Sequence, residues 1–324
     1  QTKATQKTTL SEVVRGSIDL VIGTHRLLSD DVVVPGLGLL IIDEEHRFGV
    51  KHKEVIRGIK RGVDVLTLTA TPIPRTLQQS LVGIRDTSKI ETPPQDRLPI
   101  KTYINRFDWV DIKNKIQFEI NRGGQVYFVH NEVESIPFIV QRLSGDFPNA
   151  AISGAHGQMA SGPLEKIVLG FFNKKVDVLV CTTIIESGLD VKNANTIIVN
   201  NAQNFGLSQL YQIRGRVGRG GQQAFCYLCI PKKIKLLPDA YQRLKTMEYY
   251  TNLGSGYHIA TKDLEIRGAG NVFGYEQSGQ MLKVGLELYN KILSEAISKE
   301  AGGNKKTTNG VVVNIDRDSL ISSN

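Results

Sequence analysis

The chain has 324 residues, 40% of them hydrophobic, a length and apolar content suited to two domains or slightly more. Forty Lys and Arg against 32 Asp and Glu give a formal charge of +8 and a pI near 9.3, which favours a polyanionic partner without establishing one. The longest apolar reach, residues 32–42, is broken by Pro35, Gly36 and Gly38, which excludes a bilayer span, and three cysteines are too few for a disulfide framework.

Taken in chain order, strands and helices alternate. Ile18–His25, Leu37–Glu44 and Asp64–Thr71 read as buried strands, with helices over His52–Lys60 and Ile73–Leu81. Glu91–Pro99, holding Pro93, Pro94 and Pro99, reads as a linker. The pattern then restarts: strand Lys101–Phe107, helix Trp109–Asn121, strand Gln125–His130, helix Ser135–Leu143, strand Ala150–Ser153 and helix Pro163–Phe172. Strands Val176–Thr182 and Asn195–Asn200, helix Ser208–Ile213 and strand Ala224–Ile230 follow. Apolar strands separated by helical segments predict an α/β fold with parallel sheets. Beyond Pro238 the strands stop. Ala240–Tyr250 and Gly256–Glu265 read as helices, as does Val284–Lys299, with Leu286, Tyr289, Leu293 and Ile297 on one face. Residues 301–310 read as a flexible linker and Val311–Ile315 as a strand. Cys226-x-x-Cys229 reads as a pair of core cysteines; half a zinc site is the alternative, but no second Cys/His pair follows at metal spacing.

Three stretches carry chemistry. Residues 209–219, QLYQIRGRVGR, set Arg214, Arg216 and Arg219 beside two glycines, with Gln212 ahead. Guanidinium groups so presented can stabilise charge on a phosphoryl group in transfer, an effect worth roughly 10³–10⁵ in rate. Residues 39–46, LLIIDEEH, are an apolar run ending in three carboxylates and an imidazole. Such a run suits a buried parallel strand, whose carboxyl end is where open α/β sheets bind ligands. Asp43 is then placed to hold Mg²⁺ and Glu44 to orient an attacking water. Thr69 and Thr71, in Thr-Ala-Thr-Pro, offer hydroxyls at the end of the neighbouring strand.

Together these motifs resemble superfamily 2 helicases and translocases. Asp43-Glu44-Glu45-His46, Thr69-Ala70-Thr71-Pro72 and the run Gln212 to Arg219 are similar to motifs II, III and VI. Gly23-Thr24-His25, the stretch Gly124 to Asn131 and the stretch Cys181 to Asp190 are similar to motifs Ib, IV and V, in the family's order. Residues 43–54, 67–77 and 205–220 resemble the RecG/Mfd branch, and residues 263–279 resemble its translocation (TRG) motif. Glu45 before His46, together with the Gly-Ala-Gly and Tyr-Glu-Gln-Ser-Gly forms, leans to the Mfd arm.

The resemblance implies two RecA-like parallel-sheet domains, the first incomplete at its N-terminus, and a helical TRG-like hairpin. The expected boundaries are 1–92 and 93–237 for the motor domains, 238–300 for the TRG-like element, 301–310 for a linker and 311–324 for the start of a further domain. It implies ATP and Mg²⁺ as cofactors, with Asp43, Glu44, Arg216 and Arg219 catalytic, and Glu45, His46, Gly188, Asp190 and Gln212 at the nucleotide. Thr69, Ala70 and Thr71 would couple the two sites. Thr24, Arg26, Arg75, His156, Gln158, Thr182 and Thr183 would meet DNA phosphates, and Arg267 and Gln277 would serve translocation. The implied activity is ATP-driven movement on double-stranded DNA that displaces stalled RNA polymerase and recruits excision repair through its damage sensor UvrA. RecG-like fork remodelling, or a non-catalytic DNA-binding remnant, are the alternatives. A cytoplasmic, nucleoid-associated location follows, with a plastid as the other setting, and no membrane partner. No Gly-x-x-x-x-Gly-Lys-[Ser/Thr] occurs in the 324 residues and only 22 residues precede Gly23, so the chain is expected to be a fragment that hydrolyses ATP weakly by itself.

Overall fold

The structure, a computed structural model, describes residues 3–45, 48–59, 62–70, 86–90, 92–94, 97–183 and 190–267. Helix α1 (Lys3–Val14) leads through extended chain to a 3-10 turn at His25–Leu28. Two strands, β1 (Leu39–Asp43) and β2 (Asp64–Leu68), then pair in parallel, from Leu39 opposite Asp64 to Asp43 opposite Leu68. Parallel neighbours need a crossover, and α2 (Val50–Ile59) supplies it, with Ile56 buried.

Two expectations fail in this region and one element goes unforeseen. β1 and β2 form but are not buried strands: among the described residues their sheet has only two strands, and Leu39, Ile41, Leu66 and Leu68 are 44–53% exposed. Ile18–His25 is not a strand: among the described residues it has no ladder partner, and Leu20 and Ile22 are 73% and 87% exposed. Instead the Thr24 side chain accepts from the Arg26 amide at 3.5 Å and starts the 3-10 turn. Helix α1 was not expected, because its apolar positions do not follow helical spacing and only Val13 is buried.

The second unit is a six-stranded, all-parallel sheet. Its strands are β3 (Lys101–Arg106), β4 (Gln125–Val129), β5 (Ile152–Ala155), β6 (Val178–Cys181), β7 (Ala194–Val199) and β8 (Phe225–Ile230), in the order β3-β8-β7-β4-β6-β5. Both faces are covered, as a parallel sheet requires. Along β4, Val126 and Phe128 enter one core with α3 (Trp109–Asn121) and α4 (Ile136–Asp146). Tyr127 and Val129 enter the other core, with α5 (Ser161–Phe172), α6 (Leu207–Arg214) and α7 (Pro238–Tyr249). Helix α3 starts where expected because the Asp108 carboxylate accepts from the Val110 amide at 2.9 Å.

Cys226 and Cys229 point into opposite cores, so they share neither a metal nor a disulfide. Burial pushes both thiols up to about 12, and Cys181 is raised further for the same reason. Helix α8 (Gly256–Arg267) packs with α7 against α6, and Arg214 of α6 is buried, donating to the Met247 carbonyl at 2.9 Å. No helix among the described residues is long and apolar enough to cross a membrane. The expected helices Ile73–Leu81 and Val284–Lys299, the 301–310 linker and the strand Val311–Ile315 lie outside the described residues.

Candidate active site

Asp43 ends β1 at the carboxyl edge of its sheet, and the chain turns sharply behind it. Glu44 sits in the left-handed region at φ 53°, a backbone state costing a non-glycine residue about 1 kcal/mol or more. Its amide extends the ladder by donating to the Leu68 carbonyl at 3.0 Å. Its carboxylate accepts from the Thr69 hydroxyl at 3.4 Å, so the two strand ends are tied at the residues singled out for hydrolysis and coupling.

Across from this edge lies the loop that follows α6. Gly218 has φ +70°, and a Cβ there would approach Ala224 Cβ to 2.9 Å and Ile100 Cγ1 to 3.2 Å. Only glycine fits, and the turn it allows holds Arg216 and Arg219 on one side. Arg219 is fixed twice: Nη1 pairs with Asp190 at 3.2 Å and Nε donates to the Gly215 carbonyl at 3.3 Å. Both guanidinium groups act on the buried Tyr127 hydroxyl below them, opposing the burial that drives its pKa upward.

The two walls meet in one cavity of about 330 Å³. Glu44 and Ala70 contribute from the first unit; Tyr211, Gln212, Arg214, Gly215, Arg216 and Arg219 contribute from the second. A cavity that sets several guanidinium groups opposite a carboxylate has the donor set for a polyphosphate bound with a cation. The donor set fits Mg²⁺ in that limited sense. Among the described residues no group of three or more His, Cys, Asp or Glu gathers to hold a metal. Glu44 lines the cavity and Asp43, one residue earlier at the end of β1, does not, so an ion held from Asp43 would complete its shell with phosphate oxygens and water.

The expected nucleic-acid residues are partly brought together. His156 and Gln158 follow β5 and Thr182 and Thr183 follow β6, neighbouring parallel strands in which Ala155 pairs with Cys181, so all four lie at one sheet edge. The Thr182 amide donates to the Ala155 carbonyl at 3.3 Å, and His156 Nδ1 is buried without a hydrogen-bond partner. Arg26 holds Asp31 in an exposed forked pair at 2.5 and 2.6 Å, which a phosphate would have to displace. Glu45 follows Glu44 in the same turn. His46, Thr71, Arg75, Gly188 and Gln277 lie outside the described residues, as does the side chain of Arg267 at the end of α8.

Sequence reasoning missed part of the lining. Thr92, Pro93, Pro94 and Arg97 of the linker, and Thr251–Gly254 between α7 and α8, also face the cavity. A proline-rich linker offers no periodicity that could have marked them, although a lone arginine within it was visible.

Two family matches agree with this geometry. The DEAD/DEAH box helicase family matches residues 1–80, and the helicase conserved C-terminal domain family matches residues 110–221. The transcription-repair-coupling factor of Myxococcus xanthus is 50% identical over 293 residues, 90% of this chain and 24% of that protein. The same factor from Bacillus subtilis (strain 168) is 50% identical over 307 residues, 95% of this chain and 26% of that protein. The chain therefore spans about a quarter of the length of these relatives. The solved structure of RecG bound to a three-way DNA junction is 34% identical, with a TM-score of 0.64, over 88% of this chain and 38% of that one. The Mycobacterium smegmatis helicase Lhr, solved with single-stranded DNA and AMP-PNP, shares the fold at 14% identity and a TM-score of 0.54, over 81% and 41% of the two chains.

Proposed function

The chain belongs to the RecG/Mfd branch of the superfamily 2 helicases and translocases, and on that premise we propose that it is motor of an ATP-dependent double-stranded DNA translocase of transcription-coupled repair. The observation that carries the reading is the single cavity shared by Glu44 of one unit and Arg216 and Arg219 of the other. ATP supplies the phosphoryl group and Mg²⁺ the charge that screens it. Asp43 would hold the ion and Glu44 would orient the attacking water, its carboxylate steadied by Thr69. Arg216 and Arg219 would neutralise the charge that develops on the phosphate, and Gln212 and Asp190 would support them from the same wall.

Because the carboxylates and guanidinium groups stand on separate units, a closed cleft is favoured while the terminal phosphate is in place and loses that preference after hydrolysis. The pair of strand ends at Glu44 and Thr69 would pass closure to the DNA track at His156, Gln158, Thr182 and Thr183. Residues 1–92, 93–237 and 238–300 would be the two motor domains and the translocation element, with Arg267 and Gln277 in the last. In the longer protein the partners would be duplex DNA, RNA polymerase and UvrA, in the cytoplasm. RecG-like fork remodelling is a second reading, favoured by the structural likeness to RecG on a three-way junction.

ATP hydrolysis with and without duplex DNA tests the proposal in the full-length protein carrying this chain. Duplex should stimulate turnover, and Arg216→Ala should lower kcat by roughly 10³ or more. Background rates with and without duplex would end the motor reading. The 324-residue chain by itself is expected to hydrolyse slowly, because it contains no phosphate-cradling glycine-lysine loop.

A further inference from the structure

We propose that Arg97, in the segment joining the two units, is a third phosphate-binding group of the crevice and contacts the terminal phosphate beside Arg216 and Arg219. The proposal rests on the nucleotide reading above and extends it from the two sheets to the linker between them.

Arg97 lines the same cavity as Glu44 and Arg216. Its Nη2 donates to the Gly215 carbonyl at 3.5 Å, the long limit for such a bond. The same oxygen accepts Arg219 Nε at 3.3 Å. Two guanidinium groups from distant parts of the chain thus converge on one neutral oxygen. Arg97 Nε is buried and has no hydrogen-bond partner, and among the described residues no carboxylate pairs with Arg97. Asp190, the carboxylate that acts on it through space, already holds Arg219.

Such an arrangement is unfavourable for a neutral acceptor alone. Like charges repel, and a buried N–H without a partner keeps its desolvation penalty uncompensated. Consistent with this, burial first and the facing charge of Arg219 second hold the Arg97 guanidinium below its ordinary pKa. A phosphate carries several acceptor oxygens and the opposite charge, and can satisfy both forks at once. A phosphate gripped by Arg97 would also fix the linker at the moment the two units close on it.

The plainer role for Arg97 is to pin the linker to Gly215, and binding ratios separate the two. Labelled non-hydrolysable ATP and labelled ADP would be titrated into the full-length protein as wild type, Arg97→Ala, Arg97→Lys and Arg216→Ala, with thermal midpoints recorded as a check on folding. Contact with the terminal phosphate predicts that Arg97→Ala weakens the triphosphate about tenfold and leaves ADP within about twofold, with Arg97→Lys between the two. A triphosphate-to-diphosphate ratio unchanged by Arg97→Ala but shifted by Arg216→Ala would overturn this proposal and leave the crevice reading standing. Ratios unchanged by both would overturn the crevice reading as well. If Arg97→Ala fails to fold, Arg97→Lys decides: an unshifted ratio in that variant overturns the proposal.

Discussion

Gly256 begins α8 directly against the carbonyl of Ala70, at the strand end that lines the crevice. A Cβ at position 256 would lie 2.0 Å from the Ala70 oxygen, and 3.3 Å from both its carbonyl carbon and Tyr211 Cε1. Ordinary contact begins near 3.4 Å, so Gly256→Ala requires the two elements to separate by about 1.4 Å. The obstructing atom is backbone held next to a parallel ladder, and no rotamer change relieves it. Glycine to alanine at a helix start normally favours folding by about 0.4–1 kcal/mol through the unfolded chain. Overpacking costs about 1–3 kcal/mol, so the net expectation is a loss of about 1–2 kcal/mol. Urea unfolding followed by circular dichroism measures it, and hydrogen exchange at the Glu44 amide, which bonds Leu68, reports whether the loss is local to this contact. A variant as stable as the wild type or more so, with Glu44 exchange unaltered, would show that α8 does not abut the strand end.

Three further outcomes follow from buried groups. The Glu119 carboxylate is fully buried, pairs with Arg122 at 2.5 Å and accepts from Thr196 and Asn195, tying α3 to β7; Glu119→Ala strands those donors and should cost about 3–5 kcal/mol by urea titration, and a loss below about 1 kcal/mol would contradict it. The buried His130 ring accepts from Asn200 at 3.0 Å and meets the Ser135 hydroxyl at 2.6 Å, and burial lowers its pKa against a smaller opposing effect of Glu132. Below the ordinary imidazole value near 6.5 the unfolded chain takes up a proton that the folded chain resists, so stability contributed by neutral His130 is lost as pH falls, by up to about 1.4 kcal/mol per unit. His130→Gln should flatten that slope between pH 7 and 5, and an identical slope in both proteins would refute the assignment. With all three cysteines buried, Ellman's reagent should label none in the native protein and all three in guanidinium; rapid native labelling of Cys226 or Cys229 would contradict the two-core placement.

The legible parts of the fold are those where local and tertiary demands agree. Helix α3 runs over Trp109–Asn121 as expected, because Asp108 caps it and Ile112 and Ile116 keep helical spacing into a core. The strands β4, β6 and β7 are buried on both faces, so their largely apolar runs identified them to within about two residues, and β8, half-buried at Phe225 and Tyr227, is an apolar and aromatic run found to within one. Residues 18–25 carry the same kind of run, but a strand exists only through its ladder, and Leu20 and Ile22 remain exposed. At the site, Arg216 and Arg219 around Gly218 and the strand-ending Glu44 were all legible and all line the crevice, whereas Asp43, one residue earlier, is not among its lining residues. Arg97 and the 251–254 loop reach it only through the fold, since nothing in their local sequence distinguishes them from an ordinary linker and turn.

The most direct test of the account is a double-mutant cycle on duplex-stimulated ATP hydrolysis in the full-length protein, using Glu44→Gln, Arg216→Ala and the pair. Residues on opposite walls of one crevice serve the same step, so Glu44→Gln should lower kcat by roughly 10²–10³, Arg216→Ala by roughly 10³ or more, and the double variant should fall little further than the worse single. Two losses that multiply in full, or either single variant turning over at the wild-type rate, would contradict a shared crevice.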